Sequence, residues 1–377
     1  MSGEVAITAF DMITAYGHGV DVSWKSLLDN CTAIGAPKRV SQARFEVAPV
    51  AESSLIDQGS MDTAVWQLCR ILLDESSLRS LPRGTEFFLS TTVGEIELLE
   101  QAVDKKSDAS TSCLSNLCLK VEQFLGLPQG HGTVVSAACA SGSVAVAMAA
   151  QRIRFGLAKS VLIVACDSVS EFVLAGFNSL MALDKQGARP FDRSRQGLSL
   201  GDGVAFMVLM DSTYAQENNI PIMAEVAGWG MSDDANHITG PSRDGSGLAS
   251  AIEAALKTAG VSAKDIAFVS THGTGTLYND AMEMQAFKKI FSEPVALYGI
   301  KGAIGHTLGA AGLIEAGVAV HALRQSSIPP TVGLSEPDPE ALGWISSQPC
   351  AIAGKYALCV NAGFGGINAA ICLKKAV

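Results

Sequence analysis

The sequence predicts an α/β protein built in layers from two similar halves. Three observations carry this. Of its 377 residues, 48% are hydrophobic and only 17% charged, so the core is large and most helices must be covered. Apolar strand-like runs repeatedly enter turns of small residues and then helix-like runs. Finally, stretches of the first half have faint echoes, in the same order, in the second.

The first echo pairs Val5-Ala6-Ile7-Thr8-Ala9-Phe10-Asp11-Met12 with Met223-Ala224-Glu225-Val226-Ala227-Gly228-Trp229-Gly230. The second pairs Phe87-Phe88-Leu89-Ser90-Thr91-Thr92 with Ala267-Phe268-Val269-Ser270-Thr271-His272. The third pairs the strand and elbow at Val134-Val135-Ser136-Ala137-Ala138-Cys139 with Ala357-Leu358-Cys359-Val360-Asn361-Ala362-Gly363. Helices are expected over 63–75, 144–150, 248–259 and 313–323, and a strand over 204–210. The polar stretch 211–221 divides the halves, taken as 1–215 and 216–377. Residues 34–59 lack periodicity and read as surface loop, and 104–110 read as an exposed charged turn.

Composition narrows the function classes. A net charge of −10 argues against nucleic acid as the main partner. No apolar run approaches the ~20 residues of a membrane span. Met1-Ser2-Gly3-Glu4 lacks the basic start of a signal peptide. Nine scattered cysteines without C-x-x-C pairs suit a reducing, cytoplasmic setting, and neither His nor Cys falls at zinc-ligand spacing, so no metal is expected.

The chemistry gathers at glycine-rich elbows. Cys139 sits where a strand turns into a small-residue helix. A helix N-terminus there should ease its ionisation, and the thiolate is the nucleophile. His272, in Thr271-His272-Gly273-Thr274-Gly275-Thr276, follows a strand; His306 opens the helix-entry run Gly305-His306-Thr307-Leu308-Gly309. Strand ends are where sites collect in α/β folds. His18, His131 and His321 lack such settings, and His237 is ambiguous. A cysteine with two histidines permits acyl-thioester chemistry, and Gly363-Phe364-Gly365-Gly366 can turn backbone N–H groups toward an oxyanion. Phosphate-loop and dinucleotide fingerprints are absent.

With these residues assembled, nearly the whole chain resembles the β-ketoacyl-acyl-carrier-protein synthases of the elongating, Cys-His-His type. The motifs are Ala138-Cys139-Ala140-Ser141-Gly142, Arg189-Pro190-Phe191-Asp192, Leu200-Gly201-Asp202-Gly203, the two histidine elbows, Lys301 with Glu315, and Gly363-Phe364-Gly365-Gly366-Ile367-Asn368. The resemblance implies a thiolase-like fold, five-layered αβαβα, and a dimer with itself or a related synthase. It implies that Cys139 carries the acyl chain, and that His272 and His306 promote malonyl decarboxylation. Lys301 and Glu315 would form a supporting pair. The Cys139 and Phe364 N–H groups would form the oxyanion hole. Thr274, Thr276, Phe364 and Gly365 would meet the pantetheine arm or substrate, with Phe364 gating the acyl pocket. No cofactor is implied beyond the phosphopantetheine of the acyl carrier protein.

Several features depart from the family. The C-terminal elbow has one Phe fewer before its glycine, and 51–59 is acidic where the family often carries a basic carrier-docking cluster. Arg193 and Arg195 remain candidates for steering the carrier. Residues 112–119 and 177–181 could line an acyl tunnel. These departures point to a specialised pathway, such as polyketide, polyene or unusual lipid synthesis. A biosynthetic thiolase, a chain-length partner subunit and a cysteine hydrolase are the competing readings.

Overall fold

The computed structural model describes residues 3–40, 48–74, 78, 81–106 and 110–376. In the first half the strands are β1 (Val5–Thr14), β2 (Glu86–Ser90), β3 (Thr133–Val135), β4 (Ser160–Asp167) and β5 (Gly203–Asp211). In the second they are β6 (Ala224–Asp233), β7 (Ile266–Ser270), β8 (Ala296–Tyr298), β9 (Tyr356–Ala362) and β10 (Ile367–Lys375). The main helices are α1 (Ala64–Leu73), α2 (Leu114–Leu125), α3 (Ser141–Arg154), α4 (Ser246–Ala259), α5 (Leu277–Ile290) and α6 (Ala311–Gln325).

The strands follow one hydrogen-bonded path, β3-β2-β4-β5-β1-β6-β10-β9-β7-β8. Read from either end, the pairing is the same: parallel, parallel, antiparallel, antiparallel. Between the two five-stranded halves, the strands pair at Ala6–Glu225 and Ile7–Ala224. Each of the strands and main helices named for the first half thus has a counterpart five strands or three helices further on. The duplication is real, and two of the three echoes are correctly paired, β1 with β6 and β2 with β7.

The third echo is corrected. The counterpart of the strand before Cys139 is β8, which leads to His306, and the counterpart of β9 is β4. Both elbows are a strand followed by small residues, so local composition could not separate them; hydrogen-bonded neighbours do.

Alternation along the strands builds the layers. In β4, Val161, Ile163 and Ala165 face the central core with α3 and α6, while Leu162 and Val164 face α1 and α2. In β9, Ala357 and Cys359 face inward, while Leu358 and Val360 meet α4 and α5. The result is helix, sheet, helix, sheet, helix. Every residue of α6 from Ala311 to Leu323 is buried, as a helix sandwiched between two sheets requires. Where α3 crosses α6, a Cβ on Gly142 would lie 2.6 Å from the Leu313 backbone nitrogen. Glycine lets the two helix starts, and so Cys139 and His306, approach.

Elsewhere, the described residues of 34–59 hold no helix, and Gly35 and Val50 exchange backbone hydrogen bonds of 2.8 and 2.9 Å; residues 41–47 lie outside the described residues. The expected turn at 104–110 is partly helix, since Ile96–Lys105 includes Asp104; residues 107–109 and Glu75 also lie outside the described residues. The 215/216 division cuts the helix Ser212–Glu217. No helix among the described residues is long and apolar enough to cross a membrane.

Candidate active site

Cys139 lies at the turn from β3 into α3. Ala138 before it has φ 47°, a left-handed conformation forced by the sharp elbow. The Ser141 hydroxyl fixes that elbow, donating to the Ala138 carbonyl (2.6 Å) and accepting from the Ala137 N–H (2.8 Å). His272 follows β7 and His306 follows β8. The three side chains converge: their ligand-type atoms all lie within 4.8 Å of one another, and all three are buried. The imidazole rings stand edge to face, 5.3 Å between centroids.

The histidine tautomers follow from their neighbours. Nδ1 of His306 faces the Leu308 N–H at 3.2 Å and must accept. Its Nε2 therefore carries the proton, and this buried atom has no hydrogen-bond partner among the described residues. Nδ1 of His272 faces two donors, Lys301 Nζ at 3.3 Å and Asn361 Nδ2 at 3.2 Å, so its proton also sits on Nε2. Burial and the Lys301 charge hold both histidines well below the ordinary range, with His306 adding to the effect on His272. Both rings are neutral Nε2–H donors. That disfavours a metal at this trio, because ligation through Nε2 would move each proton onto an Nδ1 that already faces donors.

Lys301 is 1% exposed, far from a solvated surface lysine. It donates to Glu315 Oε1 and to the His272 carbonyl (2.5 Å). Asn361, at the end of β9, joins the same network. Its amide donates to Glu315 Oε2 at 2.6 Å, and its oxygen accepts from the Ser143 hydroxyl on α3. Glu283 accepts from the His272 and Gly273 N–H groups, each at 2.7 Å, and fixes the loop after β7.

The helix end is not the only influence on the Cys139 thiol. Burial pushes the thiol up to about 11, against the lowering effects of Lys301 and of the Phe364 and Cys139 N–H groups directed at it. Desolvation thus opposes the helix end, which favours the thiolate.

A cleft of about 970 Å³ reaches this trio. Thr274, Thr276 and Phe364 line it, as do Phe177, Leu180 and Met181. Phe364 stacks on Phe177, centroids 5.6 Å apart.

The family comparison agrees with this geometry. Residues 60–215 match Beta-ketoacyl synthase, N-terminal domain, and 223–335 match Beta-ketoacyl synthase, C-terminal domain. The chain belongs to the beta-ketoacyl synthase family. It is a condensing enzyme of the acyltransferase class. The 3-oxoacyl-[acyl-carrier-protein] synthase 2 of Rhizobium meliloti (strain 1021) is 35% identical over 421 residues, covering 99% of each chain. That of Vibrio cholerae serotype O1 is 31% identical over 413 residues, again 99% of each. Among solved structures, the ishigamide ketosynthase/chain length factor superposes with TM-score 0.91 at 27% identity, covering 100% of each chain.

Not every expected residue of the synthase reaches the cleft. Gly365 does not line it; its N–H donates to the Ile238 carbonyl at 2.7 Å and ties the elbow to 236–240. The Thr276 hydroxyl caps α5 and lies 2.9 Å from that of Thr274. Residues 112–119 are not in the cleft wall; Leu117 packs in the outer core. Arg195 is buried against Asp338 (2.6 Å) and Asp280 (3.6 Å), which removes it as a steering residue; Arg193 is exposed and pairs with Glu336 at 2.8 Å. Asp202 is structural, gripping Arg39 and the Ser53 and Val169 N–H groups.

Two residues escaped sequence reasoning. Asn361 is one. The other is Asp167, buried at the end of β4, which accepts from Thr91, Thr92, Val93 and the Gly309 N–H. The available signal was positional: each ends a strand of its half, and β4 and β9 are counterparts.

Proposed function

We propose that this synthase extends a Cys139-bound acyl group by decarboxylative condensation with a malonyl group, both delivered on the phosphopantetheine arm of an acyl carrier protein. The observation that carries this is the pair of neutral histidines, each with Nδ1 committed as an acceptor and Nε2–H free to donate beside Cys139.

In the first half-reaction Sγ of Cys139 attacks the acyl thioester. The carrier thiol leaves with the proton, and the acyl group stays on Sγ. The Cys139 and Phe364 N–H groups stabilise the oxyanion. In the second, the bond between the malonyl carboxylate and its α-carbon breaks, releasing CO2. The electron pair passes into an enolate whose oxygen accepts from the two Nε2–H groups. The α-carbon then attacks the acyl carbonyl, the C–S bond breaks, and Cys139 leaves as a thiolate that takes up a proton from water to restore the thiol. No step calls for a metal or a redox cofactor. Lys301, Glu315 and Asn361 are positioning residues, holding the His272 tautomer. Thr274 and Thr276 meet the arm, and Phe364 on Phe177 gates the acyl pocket.

The reaction belongs to fatty-acid, polyketide or polyene synthesis in the cytoplasm, by a dimer of this chain or of this chain with a related synthase. The carried nucleophile makes it the catalytic subunit of either. A thiolase reading would want a second cysteine where Phe364 stands.

Intact-protein mass spectrometry tests the proposal. An acyl-carrier thioester should add its acyl mass to Cys139, and not to Cys139→Ala; malonyl carrier should then release CO2 and a product two carbons longer. An adduct that only hydrolyses would overturn the synthase reading.

A further inference from the structure

The mouth of the cleft sets exposed apolar side chains beside polar ones such as Gln196, Asn236, His237 and Asp244. Leu180, Met181, Leu277 and Tyr278 line it and are 46%, 89%, 54% and 65% exposed. Ile238, in the adjoining loop, is 74% exposed. Among the lining residues there is one Lys or Arg, Arg243. It is exposed, and its guanidinium sits over the Tyr278 ring, 5.4 Å from the centroid. No ion pair among the described residues uses it. Its neighbour Asp244 does not compete for it. That carboxylate faces Lys289 Nζ at 3.2 Å and accepts from Ser242 and Ser246, which hold it well below the usual carboxylate range.

A cation with no ion pair among the described residues, oriented by an aromatic face at the mouth of the cleft, suits an anion that arrives with a substrate entering it. The whole chain carries a net charge of −10, which repels anions at long range, so recognition of one must be local.

We propose that Arg243 is a phosphate subsite, held by Tyr278, that takes the phosphodiester linking the pantetheine arm to its carrier. This rests on the condensing function proposed above. Arg243 is then a specificity residue: it favours thioesters on a phosphorylated arm over those on a bare one, and acts on KM.

The test compares malonyl-phosphopantetheine with malonyl-pantetheine, following decarboxylation, which needs no choice of acyl chain. The wild-type enzyme should favour the phosphorylated donor in kcat/KM by about tenfold or more, as a charge-assisted contact supplies. In Arg243→Met the ratio should fall to about one, through KM, and Arg243→Lys should keep part of it, since a point charge replaces the fork. A ratio unchanged in Arg243→Met, or near one in the wild type, overturns the phosphate subsite and leaves the condensing function standing. If neither donor is decarboxylated and Cys139 takes no acyl group from carrier, the condensing function falls and the subsite falls with it.

Discussion

The Asn361 amide and the Nδ1 of His272 lie 3.2 Å apart, and that contact belongs to a network joining the two halves of the molecule at the site. Asn361 ends β9 in the second half, and its oxygen accepts from the hydroxyl of Ser143 on α3, the helix that follows Cys139. One side chain therefore registers the cysteine's helix against the histidine's ring. Asp167, at the end of the counterpart strand β4, acts reciprocally. It binds Thr91 and Thr92 after β2 and the Gly309 N–H after His306.

Removing Asn361 should show in chemistry more than in binding. Asn361→Ala leaves Ser143 and Glu315 Oε2 without this buried partner, a loss of about 1–3 kcal/mol in stability. His272 keeps Lys301 but loses one of its two donors. Malonyl decarboxylation should fall about tenfold in kcat with little change in KM, as expected of a group that acts on the reacting state. A variant that loses stability while kcat holds would make Asn361 a packing residue only.

Lys301 and Glu315 separate in a double-mutant cycle. Both are buried, at 1% and 2% exposure. Lys301→Met strands a carboxylate in the core and should cost about 3–5 kcal/mol. Adding Glu315→Gln removes the stranded charge, so most of the stability should return in denaturant titration. Decarboxylation should not return, because Nδ1 of His272 has still lost the ammonium. Recovery of both would show that the pair is structural and that His272 needs no such partner.

The sequence made the layered fold legible because the strands carry it locally: runs such as Ser160–Asp167 are mostly apolar, and glycine elbows follow several of them. It made Cys139, His272 and His306 legible because each stands alone at such an elbow. It did not reveal which elbows are counterparts, since that depends on strand pairing between distant segments. Asn361 was hidden for the same reason: its partners are residues 143, 272 and 315, and an Asn before a glycine turn looks like turn chemistry. Arg195 sits in Asp192-Arg193-Ser194-Arg195, which reads as a solvated loop until Asp280 and Asp338 close over it.

The crossing of α3 and α6 tolerates no side chain at Gly142. A Cβ there would lie 2.6 Å from the Leu313 nitrogen and 3.2 Å from the Gly309 oxygen, both backbone atoms that cannot swing aside. Gly142→Ala should cost about 1–3 kcal/mol, read as a lower urea midpoint. It should also slow condensation, because the strain is relieved by parting Cys139 from His306. A midpoint equal to that of the wild type would contradict the close approach.

Cys139 sets the helix end against desolvation, and a pH series decides between them. The helix end, Lys301 and two N–H groups favour the thiolate; burial favours the thiol and pushes it up to about 11. Alkylation requires thiolate, whose fraction grows about tenfold per pH unit below that value. Iodoacetamide modification of the Cys139 peptide, followed by mass spectrometry, should therefore keep climbing from about pH 7 to about pH 9.5. An exposed cysteine in an unstructured, terminally blocked peptide levels off as it passes the ordinary cysteine value of about 8.5. A Cys139 rate that is already flat at about pH 7.5 would mean that the helix end wins, and that the resting enzyme holds a thiolate.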